Sequence, residues 1–103
     1  ISGGLQTKVY YVTLGGFDTH ASQVDATDST LGTHANLLKT LSDAVLAFQN
    51  DLNKLKIEDR VVGMTFSEFG RRAISNGSRG TDHGTSAPMF VFGTGNNYAL
   101  PRF

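Results

Sequence analysis

One stripe of apolar residues constrains this chain more than any other feature. Between Thr33 and Lys56, the residues Leu37, Leu41, Ala44, Val45, Phe48, Leu52 and Leu55 recur at intervals of three and four, the spacing that lines one face of an α-helix. Thr33 is the predicted N-cap, and Lys54 and Lys56 fall in the last turn, where cations favour the negative end of the helix dipole. On either side lie β-branched and aromatic runs, Lys8 to Leu14 and Arg60 to Phe66. Both read as strands, and the first has few polar interruptions, as a strand of a covered parallel sheet does. Strand, helix and strand then read as a right-handed βαβ crossover. A third run, Met89 to Phe92, follows Pro88, and the three strands are expected to be mutually parallel.

That architecture asks for more sheet than 103 residues supply. The chain opens on Ile1 rather than Met, with a strand-like run close behind. Residues 1–103 are therefore expected to be a single segment of a larger α/β domain, with the remainder of a longer chain as its partner and with apolar surface exposed on its own. Nine basic residues balance nine acidic ones, so there is no basic stripe to follow a phosphate backbone, and nucleic acid is not an expected partner. The apolar runs fall far short of the roughly 20 residues of a bilayer-crossing helix, so no membrane span is expected. Cysteine is absent. That removes disulfides, thiolate nucleophiles and zinc–thiolate sites, and leaves His and carboxylates as the metal ligands.

The twelve glycines gather in the joints between periodic segments. Two long polar stretches, Phe17 to Gly32 and Ser67 to Ala87, are expected at the carboxyl ends of strands, where open parallel sheets bind ligands. The first begins Gly15-Gly16-Phe17-Asp18-Thr19-His20. Asp18 and His20 are two apart, so an extended backbone puts both on one face, where they could chelate one divalent metal. The plainer alternative is a turn cap and an exposed loop histidine. At Ser67-Glu68-Phe69-Gly70-Arg71-Arg72, Glu68 is a candidate ligand or general base, and Arg71 or Arg72 a clamp for an anion; a surface ion pair is the plainer alternative. In Gly80-Thr81-Asp82-His83-Gly84-Thr85, glycines on both sides let the backbone turn sharply and aim Asp82 and His83 at one point. His34, in the first helical turn, is expected to point elsewhere. No Gly-x-Ser-x-Gly elbow, Walker loop or Gly-x-Gly-x-x-Gly fingerprint opens a helix, which weighs against a serine triad and nucleotide binding.

At Gly15 to His20, Ser67 to Arg71 and Gly80 to Thr85, in that order and with the helix between the first two, the sequence resembles the carboxy-terminal part of the bacterial domain-of-unknown-function family 1501, related to sulfatases and alkaline phosphatases. The resemblance covers nearly the whole chain. It implies a three-layer αβα parallel-sheet fold of the alkaline-phosphatase-like kind, of which this chain is a carboxy-terminal fragment. Divalent metals at the strand ends would activate a nucleophile and stabilise charge on a phosphoryl or sulfuryl group. The nucleophile and a further metal-binding acid would come from an amino-terminal half, and the protein would be periplasmic or extracellular. Alkaline phosphatases place the Asp and His of the first loop four apart, whereas Asp18 and His20 are two apart. His83 aligns either with an adjacent Asp-His pair or with a single later His of that superfamily, so the number of metals stays open.

The leading expectation is a metal-dependent hydrolase of anionic small-molecule or polymer esters, phosphate or sulfate. Asp18, His20, Glu68, Asp82 and His83 are its candidate metal ligands, and Glu68 and Arg71 its candidate catalytic residues. Mixed nitrogen and oxygen ligands suit zinc or manganese, and carboxylate-rich sites take magnesium or calcium. The alternative is a secreted non-catalytic module that binds carbohydrate or another surface polymer. A third reading is a structural fragment whose Tyr10, Tyr11 and Phe90 meet the rest of a longer chain.

Overall fold

The computed structural model describes residues 1–94. The apolar stripe forms helix α1 (Thr33–Lys54), close to the bounds its period predicts. Thr33 is the first helical residue rather than the cap. Gly32 caps the helix at φ 115°, with no side-chain hydrogen bond. The reason is crowding: a Cβ on Gly32 would lie 2.7 Å from the Asp25 nitrogen, so the position demands both a left-handed backbone and no side chain.

The far end is closed by main-chain bonds. The Lys56 N–H donates to the Asn53 carbonyl and the Ile57 N–H to the Leu52 carbonyl, with Lys56 itself at φ 56°. This is the Schellman arrangement, which brings together the apolar residues flanking the turn. Leu52 and Ile57 are accordingly the two buried hydrophobic residues among those described. A short 3-10 turn, Glu58–Arg60, follows.

Four short strands come after it: β1 (Gly63–Met64), β2 (Gly70–Arg71), β3 (His83–Gly84) and β4 (Val91–Phe92). Strand β1 pairs with β4, and β2 with β3, both antiparallel. The expectation of parallel strands is thereby corrected. Parallel neighbours need a crossover element between them, and the described chain between β1 and β4 contains no helix, so it doubles back instead. The Phe92 ring lies across Gly63, where a Cβ would collide with it.

The run from Lys8 to Leu14 forms no ladder among the described residues, so the expected βαβ crossover is not made there. Val9 and Val12 are 82% and 88% exposed, and Tyr11 leans on Phe66 with ring centroids 5.8 Å apart. A strand sequence without a hydrogen-bonding neighbour stays unpaired whatever its β-propensity. The described residues thus form a small α/β unit of one helix and two small antiparallel sheets, and no three-layer parallel sheet is formed among them. No helix among the described residues is long and apolar enough to cross a membrane.

Candidate functional site

Three chain segments meet on the polar side of the molecule: the loop after Leu14, strand β2, and the stretch ending in β3. Glycine makes the meeting possible, though not by the sharp turns expected. Gly70, Gly80 and Gly84 do not have positive φ. A Cβ on Gly70 would instead lie 2.5 Å from the Gly84 carbonyl oxygen, one on Gly84 2.6 Å from the Arg72 nitrogen, and one on Gly80 inside the carbonyl of His20. These glycines permit backbone to approach backbone.

In the first loop Thr19 is buried, while Asp18 and His20 on either side of it are exposed. That is the period-two alternation by which residues two apart share a face. The Thr19 carbonyl accepts from the Thr81 N–H at 3.2 Å, which sets this loop against the segment carrying His83.

The result is one cluster. His20 Nε2 and Asp18 Oδ1 are 3.1 Å apart, His83 Nε2 and Asp18 Oδ1 3.0 Å, and the two Nε2 atoms 3.3 Å. The Phe69 ring stacks on His83 at 4.4 Å, with 14° between planes, and fixes the imidazole from outside. Glu68 is exposed and outside the group of converging ligand atoms, which comprises Asp18, His20 and His83. Asp82 sits one step back, its Oδ1 3.4 Å from His20 Nδ1. His34 stands apart, edge-on to Phe17.

Arg71 fastens the segments together. Its Nη1 donates to the Thr81 carbonyl at 2.8 Å, and its Nη2 to the Phe17 carbonyl at 2.9 Å and to Asp18 Oδ1 at 2.5 Å. Both terminal nitrogens are therefore committed within the chain. The Arg72 side chain makes no hydrogen bond among the described residues. It borders an open depression of about 530 Å³ shared with His83, Thr85 and Ser86.

Two acids feel this surrounding. The hydrogen bond from His83, with help from His20 and Arg71, holds the Asp18 carboxyl below its ordinary value. Asp82 is lowered by its bond from Asn76 and then by His20. Both stay ionised at neutral pH.

Sequence reasoning missed Asn76. The Asn76-Gly77 pair reads as an ordinary turn, and that pattern carries no sign that the amide reaches 56 residues back to the His20 carbonyl. Nor does the sequence carry a sign that Phe69 stacks on His83.

Compared with known proteins, the chain matches over residues 5–98 a family model described as a protein of unknown function (DUF1501). No curated protein and no solved structure matches it.

Proposed function

The chain belongs to the DUF1501 family, and from that premise we propose that it holds the metal- and anion-binding share of a hydrolase acting on phosphate or sulfate esters. The observation that carries the proposal is the mutual approach of Asp18 Oδ1, His20 Nε2 and His83 Nε2 at 3.0 to 3.3 Å. Three such atoms cannot all be hydrogen-bonded to one another. Each His–Asp contact needs a proton on that imidazole's Nε2, and the His–His contact needs one Nε2 to be bare. One contact is repulsive unless a cation sits among the three. Ligands ~2.0–2.1 Å from a tetrahedral zinc are themselves roughly 3.3 Å apart, so the donors fit such an ion. Two imidazoles and a carboxylate favour zinc or manganese over magnesium or calcium.

When bound, the metal supplies Lewis acidity toward an ester oxygen. The protein's own residues do the rest. Asp18, His20 and His83 hold the ion, Phe69 keeps His83 in its plane, and Arg71 holds the loops. The clamp for the anion, expected at Arg71, falls in this reading to Arg72, which borders the open depression and whose charge otherwise acts only through space on Asp82. Glu68, exposed and outside the converging atoms, is given no role in it. The proposal extends to the alkaline-phosphatase-like superfamily, with its parallel three-layer sheet completed by the remainder of a longer chain along the Lys8 to Leu14 run, and to the bacterial periplasm or cell exterior as its location.

A second reading has its own observation. Tyr10, Tyr11 and Phe90 are 50%, 72% and 53% exposed, as in a module whose aromatics bind a carbohydrate polymer. Calorimetric titration of the chain with zinc and manganese separates the two. Stoichiometric binding is expected, lost on His20→Ala or His83→Ala and retained on His34→Ala. Equal binding by all three variants, or none by the wild type, moves the binding module ahead.

A further inference from the structure

We infer that Asp82, clasped by Asn76, is a positioning residue that fixes His20 as its Nδ1–H tautomer and so leaves the Nε2 lone pair facing Asp18 and His83. The inference rests on the metal-site reading only for the purpose that lone pair serves. The amide of Asn76 is fully used. Its Nδ2 donates to Asp82 Oδ1 and to the His20 carbonyl, each at 2.8 Å, and its Oδ1 accepts from the Ser78 and Gly80 N–H groups at 2.9 and 3.0 Å. Turning that amide over would set oxygen against oxygen twice, so its orientation is determined.

Asp82 is thereby held with Oδ1 3.4 Å from His20 Nδ1. A carboxylate only accepts, so the favourable partner there is Nδ1–H. The opposite nitrogen gives the same answer independently. Arg71 Nη1, which can only donate, lies 3.5 Å from His20 Nε2 and calls for a bare nitrogen. The acceptors within reach of a proton on Nε2 are Asp18 Oδ1, which already receives Arg71 and His83, and His83 Nε2, whose own proton goes to Asp18. An outer carboxylate that sets the tautomer of a ligating histidine is a general device for orienting metal ligands.

The test uses nitrogen-resolved NMR spectra of the imidazoles in the metal-free chain, with His20→Gln to assign the signals, beside zinc titrations. In the wild type His20 should carry its proton on Nδ1. Asp82→Ala should move it to Nε2 and weaken zinc binding roughly 10- to 100-fold without changing the circular dichroism. Asp82→Asn keeps a carbonyl acceptor under the Asn76 amide, so it should restore the Nδ1–H form and most of the affinity, which a merely structural role would not require. It also remains readable if Asp82→Ala does not fold, because its His20 should then match the wild type. An Nε2–H tautomer in the wild type or in Asp82→Asn, or an unchanged tautomer in folded Asp82→Ala, overturns the inference. A wild type that binds no zinc yet shows the Nδ1–H form, lost in Asp82→Ala, defeats the metal reading and leaves this inference standing.

Discussion

The two sides of this molecule are built on opposite principles. On the polar side, loops with almost no apolar burial are tied through Arg71, Asn76 and the Thr81–Thr19 main-chain bond. On the other, the residues best suited to a core lie open: Val9, Val12 and Met64 are exposed, and the inner stripe of α1 is only half covered at Leu37, Leu41 and Val45. Directional bonds can be completed within a short chain, since each needs only one partner. Apolar burial needs area, which one helix and two-residue strands do not provide.

The contrast breaks most directly at Gly80. Its Cβ would collide with the His20 carbonyl, so Gly80→Ala should cost about 3 kcal/mol, whereas Val12→Ser should change stability by less than about 0.5 kcal/mol. Urea denaturation of both variants checks this, and similar midpoints would show that the loops do not limit stability. A smaller difference separates the two neighbouring arginines. Arg71→Gln removes charged hydrogen bonds to two carbonyls and Asp18 and should cost about 2 kcal/mol. Arg72→Gln should leave stability and zinc binding unchanged and instead weaken competition by orthophosphate or sulfate, read by calorimetry on the zinc-loaded chain.

The smallest effect lies in the turn before α1, where Asp25 accepts from the Thr27 N–H and hydroxyl and the Asp28 N–H. The backbone bond from Thr27 leads in lowering its carboxyl to about 2. A depressed folded value means that its contribution is whole above the ordinary carboxylate range and is lost as pH falls through about 2. The Asp25 carboxyl carbon and the Thr27 amide should titrate together there by NMR, and a midpoint near 4 would remove the turn from the polar network.

Much of this was legible in the residues. The stripe from Leu37 to Leu55 fixed α1, because helical periodicity is local, and the spacing of Asp18 and His20 forecast a shared face for the same reason. The convergence of His83 on them was foreseen from glycine-framed motifs, although the glycines turned out to serve close approach. Pairing direction was not legible. The runs around Met64 and Val91 look alike whichever way they pair, and the deciding fact is the course of the chain between them. Asp82 and Glu68, read as candidate ligands, lie outside the three converging atoms for a related reason: composition names the atoms able to bind a metal but not where the folded backbone puts them.

Arg71 also has a bearing on ionic strength. The exposed Lys39–Asp43 pair, at 73% and 63% exposure, is the kind of contact that dissolved salt screens away. The Arg71 guanidinium is only 20% exposed, and two of its bonds end on uncharged carbonyls at 2.8 and 2.9 Å, a partly buried setting in which dissolved salt screens much less. Counter-ions therefore have little room to compete for it, and the loops that carry Asp18 and His83 keep their spacing across dilute and saline surroundings alike.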